Sequence, residues 1–154
     1  MAQRWEKIRP YAVELLAALL LCAILFMCFR TNQVLAWLLR RKSDALVLAG
    51  IAAGTSGIIF GAYFNVLSTD FGRRLRLANA AVEYAIAFAV PLVGFFATVV
   101  ALIVLSERSD GVLVKALIFL LVYSCINCYT MVRNVIDLVG VWQDVEKARH
   151  SGRI

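Results

Sequence analysis

Four long apolar runs, at about residues 11–29, 45–67, 81–105 and 113–141, take up most of this chain. In hydrocarbon no water is present to satisfy a backbone N–H or C=O, so spanning segments are helices or closed barrels. Uninterrupted apolar runs of about 20 residues are the signature of spanning helices. The predicted fold is an all-α integral membrane domain, residues 1–154, with four transmembrane helices. The apolar share of 62% and the mean hydropathy of +0.82 agree, since soluble domains are roughly half apolar.

A secretory signal is the competing reading of the first run, because basic Arg4, Lys7 and Arg9 precede it. The run is longer than a signal core and no small-x-small cleavage site follows it. Leu21 before Cys22 also argues against lipoprotein cleavage. A retained span is expected, opened by Pro10 in a first turn where its missing N–H is not needed. Residues 30–44 are amphipathic, with Val34, Leu35, Trp37, Leu38 and Leu39 between Arg30 and Arg40-Arg41-Lys42. They form a short helix lying in the interface or a plain connector.

The net charge is +6. Nucleic-acid binding needs that charge gathered on one face, whereas here short basic clusters alternate with apolar runs as membrane anchors do. No direct nucleic-acid partner is expected. Nine basic residues flank the spans on the side of the two termini and the 68–80 connector, against six on the other side. The positive-inside rule then places both termini in the cytoplasm.

Two runs carry patterned features. In the second, Gly50, Gly54, Gly57 and Gly61 recur at helical spacing and share one face. Small residues there let another backbone approach closely, which predicts a helix-packing face toward the same chain or another copy. In the fourth, Asn127, Thr130, Asn134 and Asp137 form one polar stripe, and Arg133 lies four residues before Asp137, within pairing range. The stripe must face protein or water rather than lipid. It is either an ion path or an assembly face held by hydrogen bonds. About 29 residues at roughly 1.5 Å each reach about 43 Å, beyond a hydrocarbon core near 30 Å, so the polar second half is expected to emerge, with Trp142 at the interface. In the third run, Pro91 and Gly94 should kink the helix or free a carbonyl. Glu14 and Glu83, expected in the first turns of their spans, either line an ion path or gate or, as the plainer reading, are helix-end charges that snorkel or pair. The short connector SERSDG makes spans three and four antiparallel neighbours.

Enzyme chemistry is not expected, and neither is a cofactor. The single histidine is His150, in the tail, so no intramembrane haem ligand is supplied. No zinc spacing, phosphate loop or nucleophile elbow is present. Cys125-Ile-Asn-Cys128 resembles the paired cysteines of quinone-linked thiol oxidases, but no loop cysteine pair accompanies it. A thiol-redox membrane enzyme is the distant alternative. Four free cysteines acting as small apolar residues is the plainer reading.

The segments AGIAAGTSGIIFGAYF, FGRRLRLA and VEYAIAFAVPLVGFFATVVALIVLS, between Ala49 and Ser106, resemble the small four-span membrane subunits of bacterial phage-defence systems. The Rex exclusion membrane component is similar, with the Kiwa membrane subunit as a second candidate. The resemblance implies an inner-membrane protein working with a soluble cytoplasmic partner and permeabilising the membrane when triggered. Arg73, Arg74 and Arg76, with Lys147 and Arg149 in the tail, would then be docking positions. The expected function is a homo-oligomeric sensor or effector that passes ions or signals to that partner. The alternative is a non-conducting accessory or scaffolding subunit of a larger membrane complex.

Overall fold

The computed structural model describes residues 2–78 and 80–150; of these, the side chains of 2–11, 146 and 148–150 lie outside the description. The described residues form six helices and no strand: α1 (Ala2–Cys28), α2 (Thr31–Arg40), α3 (Lys42–Leu67), α4 (Asp70–Leu77), α5 (Ala81–Val104) and α6 (Gly111–His150). Among them α3, α5 and the Gly111–Val145 part of α6 are long and apolar enough to cross a membrane. A fourth span is present if Ala12–Cys28 and Thr31–Arg40, bent by 101°, count as one broken crossing.

The bend has a local cause. Arg30 is extended, with φ −68° and ψ 143°, and its N–H donates to the Gln33 side chain at 3.0 Å. That capping geometry starts a new helix in a new direction. Residues 31–40 are thus a helix that buries Val34 and Leu38 and leaves Trp37 exposed.

The long helices form a row rather than a closed bundle: α3 packs on α5, α5 on α6, and α6 on α1. Neighbours run antiparallel. Tyr63 near the end of α3 donates its hydroxyl to the Ala81 carbonyl at the start of α5 (2.5 Å). At the other end Lys42 donates to the Leu105 and Ile103 carbonyls, at 2.7 and 3.2 Å. A lysine is well suited to this, because the last carbonyls of a helix lack intrahelical donors. The 105–110 connector turns directly into α6, where Asp110 accepts from the Leu113 N–H at 2.8 Å as an N-cap.

Buried apolar residues gather in two separate clusters. Cys22, Val34, Leu38, Ala49, Leu102, Leu105 and Leu117 pack at the α2 end. Tyr63, Leu75, Ala81, Phe88, Met131 and Leu138 pack at the α4 end. The buried polar side chains Ser56, Thr98, Ser124 and Asn127 lie on the stretches of α3, α5 and α6 between the two clusters. There α5 and α6 approach closely: a Cβ on Gly94 would collide with the Ser124 hydroxyl. Pro91, also buried, is accommodated without ending α5. The Thr98 hydroxyl donates to the Gly94 carbonyl at 2.8 Å, the local i−4 bond of a helical threonine. The carbonyl that Pro91 leaves without a helical donor is instead that of Ala87.

Short α4 is fixed to the end of α3. Thr69 caps it, accepting from the Gly72 N–H at 3.3 Å, and Arg76 donates to the Leu67 carbonyl at 2.5 Å. Gly72 is needed because any side chain there would strike the Val66–Leu67 backbone.

Candidate functional site

The polar stripe of α6 divides into an inner and an outer part. Asn127 is buried and donates to the Tyr123 carbonyl at 2.8 Å. Thr130, half-buried, donates its hydroxyl to Glu14 on α1 at 2.5 Å. Asn134 is half-buried, while Arg133 and Asp137 are exposed. The expected Arg133–Asp137 pairing is absent: the ion pairs between described side chains are Arg41–Asp44 and Arg73–Asp70. An acid placed C-terminal to its base is the weaker orientation of an i,i+4 pair, and both groups are open to their surroundings.

Glu14 corrects a second expectation. α1 begins at Ala2, three turns before it, although the described stretch that could cross a membrane opens only at Ala12. What differs from expectation is that Glu14 is not a free helix-end charge. Its side chain is only 9% exposed. One carboxyl oxygen accepts from Thr130, and the other is buried without a hydrogen-bond partner. A buried polar group left half-satisfied is costly, and within a span such groups mark functional sites by default. Sequence reasoning underrated Glu14 because its partner Thr130 is remote in sequence. Glu83, by contrast, is exposed in the first turn of α5.

Most of the glycine face of α3 meets nothing among the described residues. Nothing lies within 4 Å of a Cβ built on Gly50, Gly54 or Gly61, and Gly57 meets only a Leu92 methyl at 3.7 Å. The α3–α5 contact is carried instead by Ala49, Ser56 and Tyr63, buried at seven-residue spacing on a different face.

A cavity of about 640 Å³ opens at the α4 end. Its walls include Ile59 and Val66 of α3, Phe88 of α5, and Leu138 and Trp142 of α6, with Arg73 and Arg74 of α4 at the rim. The sequence signal available for it is the helical spacing of Val135, Leu138, Val139, Trp142 and Val145, which continues past the end of the last apolar run. Of the docking positions, Arg73, Arg74, Arg76 and Lys147 are exposed, and Arg149 lies outside the described side chains.

Cys22, Cys28, Cys125 and Cys128 are free thiols, with Cys22 buried and Cys28 and Cys125 exposed. Among the described residues no group of three His, Cys, Asp or Glu side chains is placed to hold a metal ion. No family model, curated protein or solved structure matches this chain.

Proposed function

We propose that the chain is a multi-pass inner-membrane protein with both termini in the cytoplasm, working as a homo-oligomeric sensor or effector of the phage-defence type. The observation that carries the oligomeric part of this reading is the largely bare glycine face of α3 at one edge of the helix row. Four small residues on one side of an apolar helix favour close contact with another backbone, and no described residue lies within 4 Å of a Cβ built at three of the four. The exposed Arg133 and Asp137 on α6 are further groups that another subunit or water would cover at lower cost than lipid.

In this reading ions pass along the α1–α6 seam. α1 is the edge helix opposite α3, and Glu14 and Thr130 are the polar groups that meet at its contact with α6, with Asn127 one turn away on α6. Parting α1 from α6 would wet those groups. The exposed basic positions Arg76 and Lys147 are suited to a soluble partner that triggers the change. The test is ion flux from liposomes holding the purified protein, with and without Asp137→Leu and Glu14→Leu. Leak that depends on these residues supports the reading; a membrane left tight in every condition removes the conducting form of it.

The same glycine face favours a second reading, an accessory subunit of a mixed membrane complex, because the covering helix need not come from a copy. The mass of the detergent-extracted assembly separates the two. A multiple of one chain supports the homo-oligomer, and a fixed mixture with another protein supports the accessory role.

A further inference from the structure

The cavity at the α4 end combines an apolar interior with charge that the fold does not use. Its volume, about 640 Å³, falls in the ~300–1,000 Å³ range of ligand pockets. Ile59, Val66, Phe88, Leu138 and Trp142 offer hydrocarbon and aromatic surface. At the mouth, Arg73 is held by Asp70 at 3.1 Å, so its charge is partly neutralised. Arg74 forms no ion pair with a described side chain, and the rim stays net positive.

The position of α4 matters as much as its charge. It joins the ends of two helices long and apolar enough to span, α3 and α5. It buries Gly72 and Leu75 while turning Arg73, Arg74 and Arg76 outward. A helix of that pattern, between two spans, lies at headgroup level. The cavity below it is then level with the upper part of the acyl chains. A free anion would leave the apolar walls unused, and a zwitterionic lipid would leave the arginines uncompensated. Basic pockets between spanning helices favour anionic headgroups.

We propose that this cavity binds one anionic phospholipid, with an acyl chain against Ile59, Phe88 and Leu138 and the phosphate at Arg73 and Arg74. The site stands apart from the oligomer reading, since none of its residues lies on the glycine face.

The test uses full-length protein in neutral detergent, titrated separately with phosphatidylglycerol, phosphatidylethanolamine and inorganic phosphate. Melting midpoint and lipid adducts in native mass spectra are followed. Phosphatidylglycerol should raise the midpoint and remain bound, phosphatidylethanolamine should do so far less, and phosphate should do neither. The R73Q/R74Q double variant should weaken phosphatidylglycerol binding by up to about 25-fold, near fivefold at most for each arginine facing an anionic headgroup. R73K/R74K should retain most of the binding, and Arg108→Gln, in the loop at the opposite end, should change nothing. Ala62→Trp, which fills the cavity, should exclude lipids of either headgroup. Equal retention of both lipids, or indifference to R73Q/R74Q in a variant that elutes as the wild type does, would overturn the proposal. Displacement of lipid by inorganic phosphate would also overturn it, reducing the site to an anion site. If Ala62→Trp dissociates an oligomer that carries no lipid, the cavity is a contact between copies and the proposal fails.

Discussion

Thr130 of α6 and Glu14 of α1 share a 2.5 Å hydrogen bond across 116 residues of sequence. It ties the edge helix to the row at a point where the second carboxyl oxygen of Glu14 has no partner. A bond to a charged acceptor contributes about 1.5–3 kcal/mol, and stranding one member of a buried pair costs at least as much as the bond is worth.

Thr130→Val is therefore expected to destabilise the protein by about 1–3 kcal/mol, because it leaves the carboxyl with no donor. Adding Glu14→Leu should recover most of that loss, since replacing both polar partners by apolar groups is nearly neutral. Unfolding in mixed detergent for the two single variants and the double variant gives the coupling directly. Additive losses would mean that the two side chains do not interact.

Glycine positions on α3 and α5 should respond in opposite ways. Gly94→Ala forces a Cβ into the Ser124 hydroxyl and should cost about 1–3 kcal/mol, as overpacking does. Ser124→Gly on the same background should relieve it. A Cβ on Gly54 meets no described atom within 4 Å, so Gly54→Leu should leave the monomer's stability in place while self-association in bilayers falls. Energy transfer between labelled copies, set beside the melting midpoint, distinguishes the two responses.

Two distant contacts hold α3 against α5, one at each end. Tyr63→Phe removes the hydroxyl bond to Ala81, and Lys42→Met removes the donors to Leu105 and Ile103. Each is expected to cost about 0.6–1.7 kcal/mol, the range found for polar contacts between spanning helices. Because the sites lie at opposite ends, the effects should add to within about 0.5 kcal/mol.

Thiol reactivity reads out the exposure of the cysteines. Cys28 and Cys125 should react with a lipid-soluble maleimide well before buried Cys22. Peptide mapping after timed quenching checks the order. Early modification of Cys22 would place α1 differently in the row.

The helical fold was legible because apolar run length alone decides between helix and loop in hydrocarbon. Pro10 misled at the one place where composition and geometry part: it suggests a beginning, whereas α1 starts at Ala2. The burial of Glu14 against α6 was not legible, because its partner Thr130 is remote in sequence. The row arrangement was not legible. α3 is apolar on every side, so the Ala49, Ser56 and Tyr63 face that meets α5 carries no contrast in the sequence. The glycines stood out instead, and they occupy a different face. The stripe on α6 was found residue by residue, but Thr130's partner lies on a helix more than a hundred positions away. The cavity needed α4 to fold back on α3 through Gly72, a contact that no periodicity announces.

Two apolar clusters with hydroxyls and an amide between them give the molecule two centres of cohesion instead of one. Loosening either should leave its counterpart standing, because cooperative units follow contiguous packing. Probes placed near Trp37 and near Trp142 would then respond unequally to a substitution confined to one cluster.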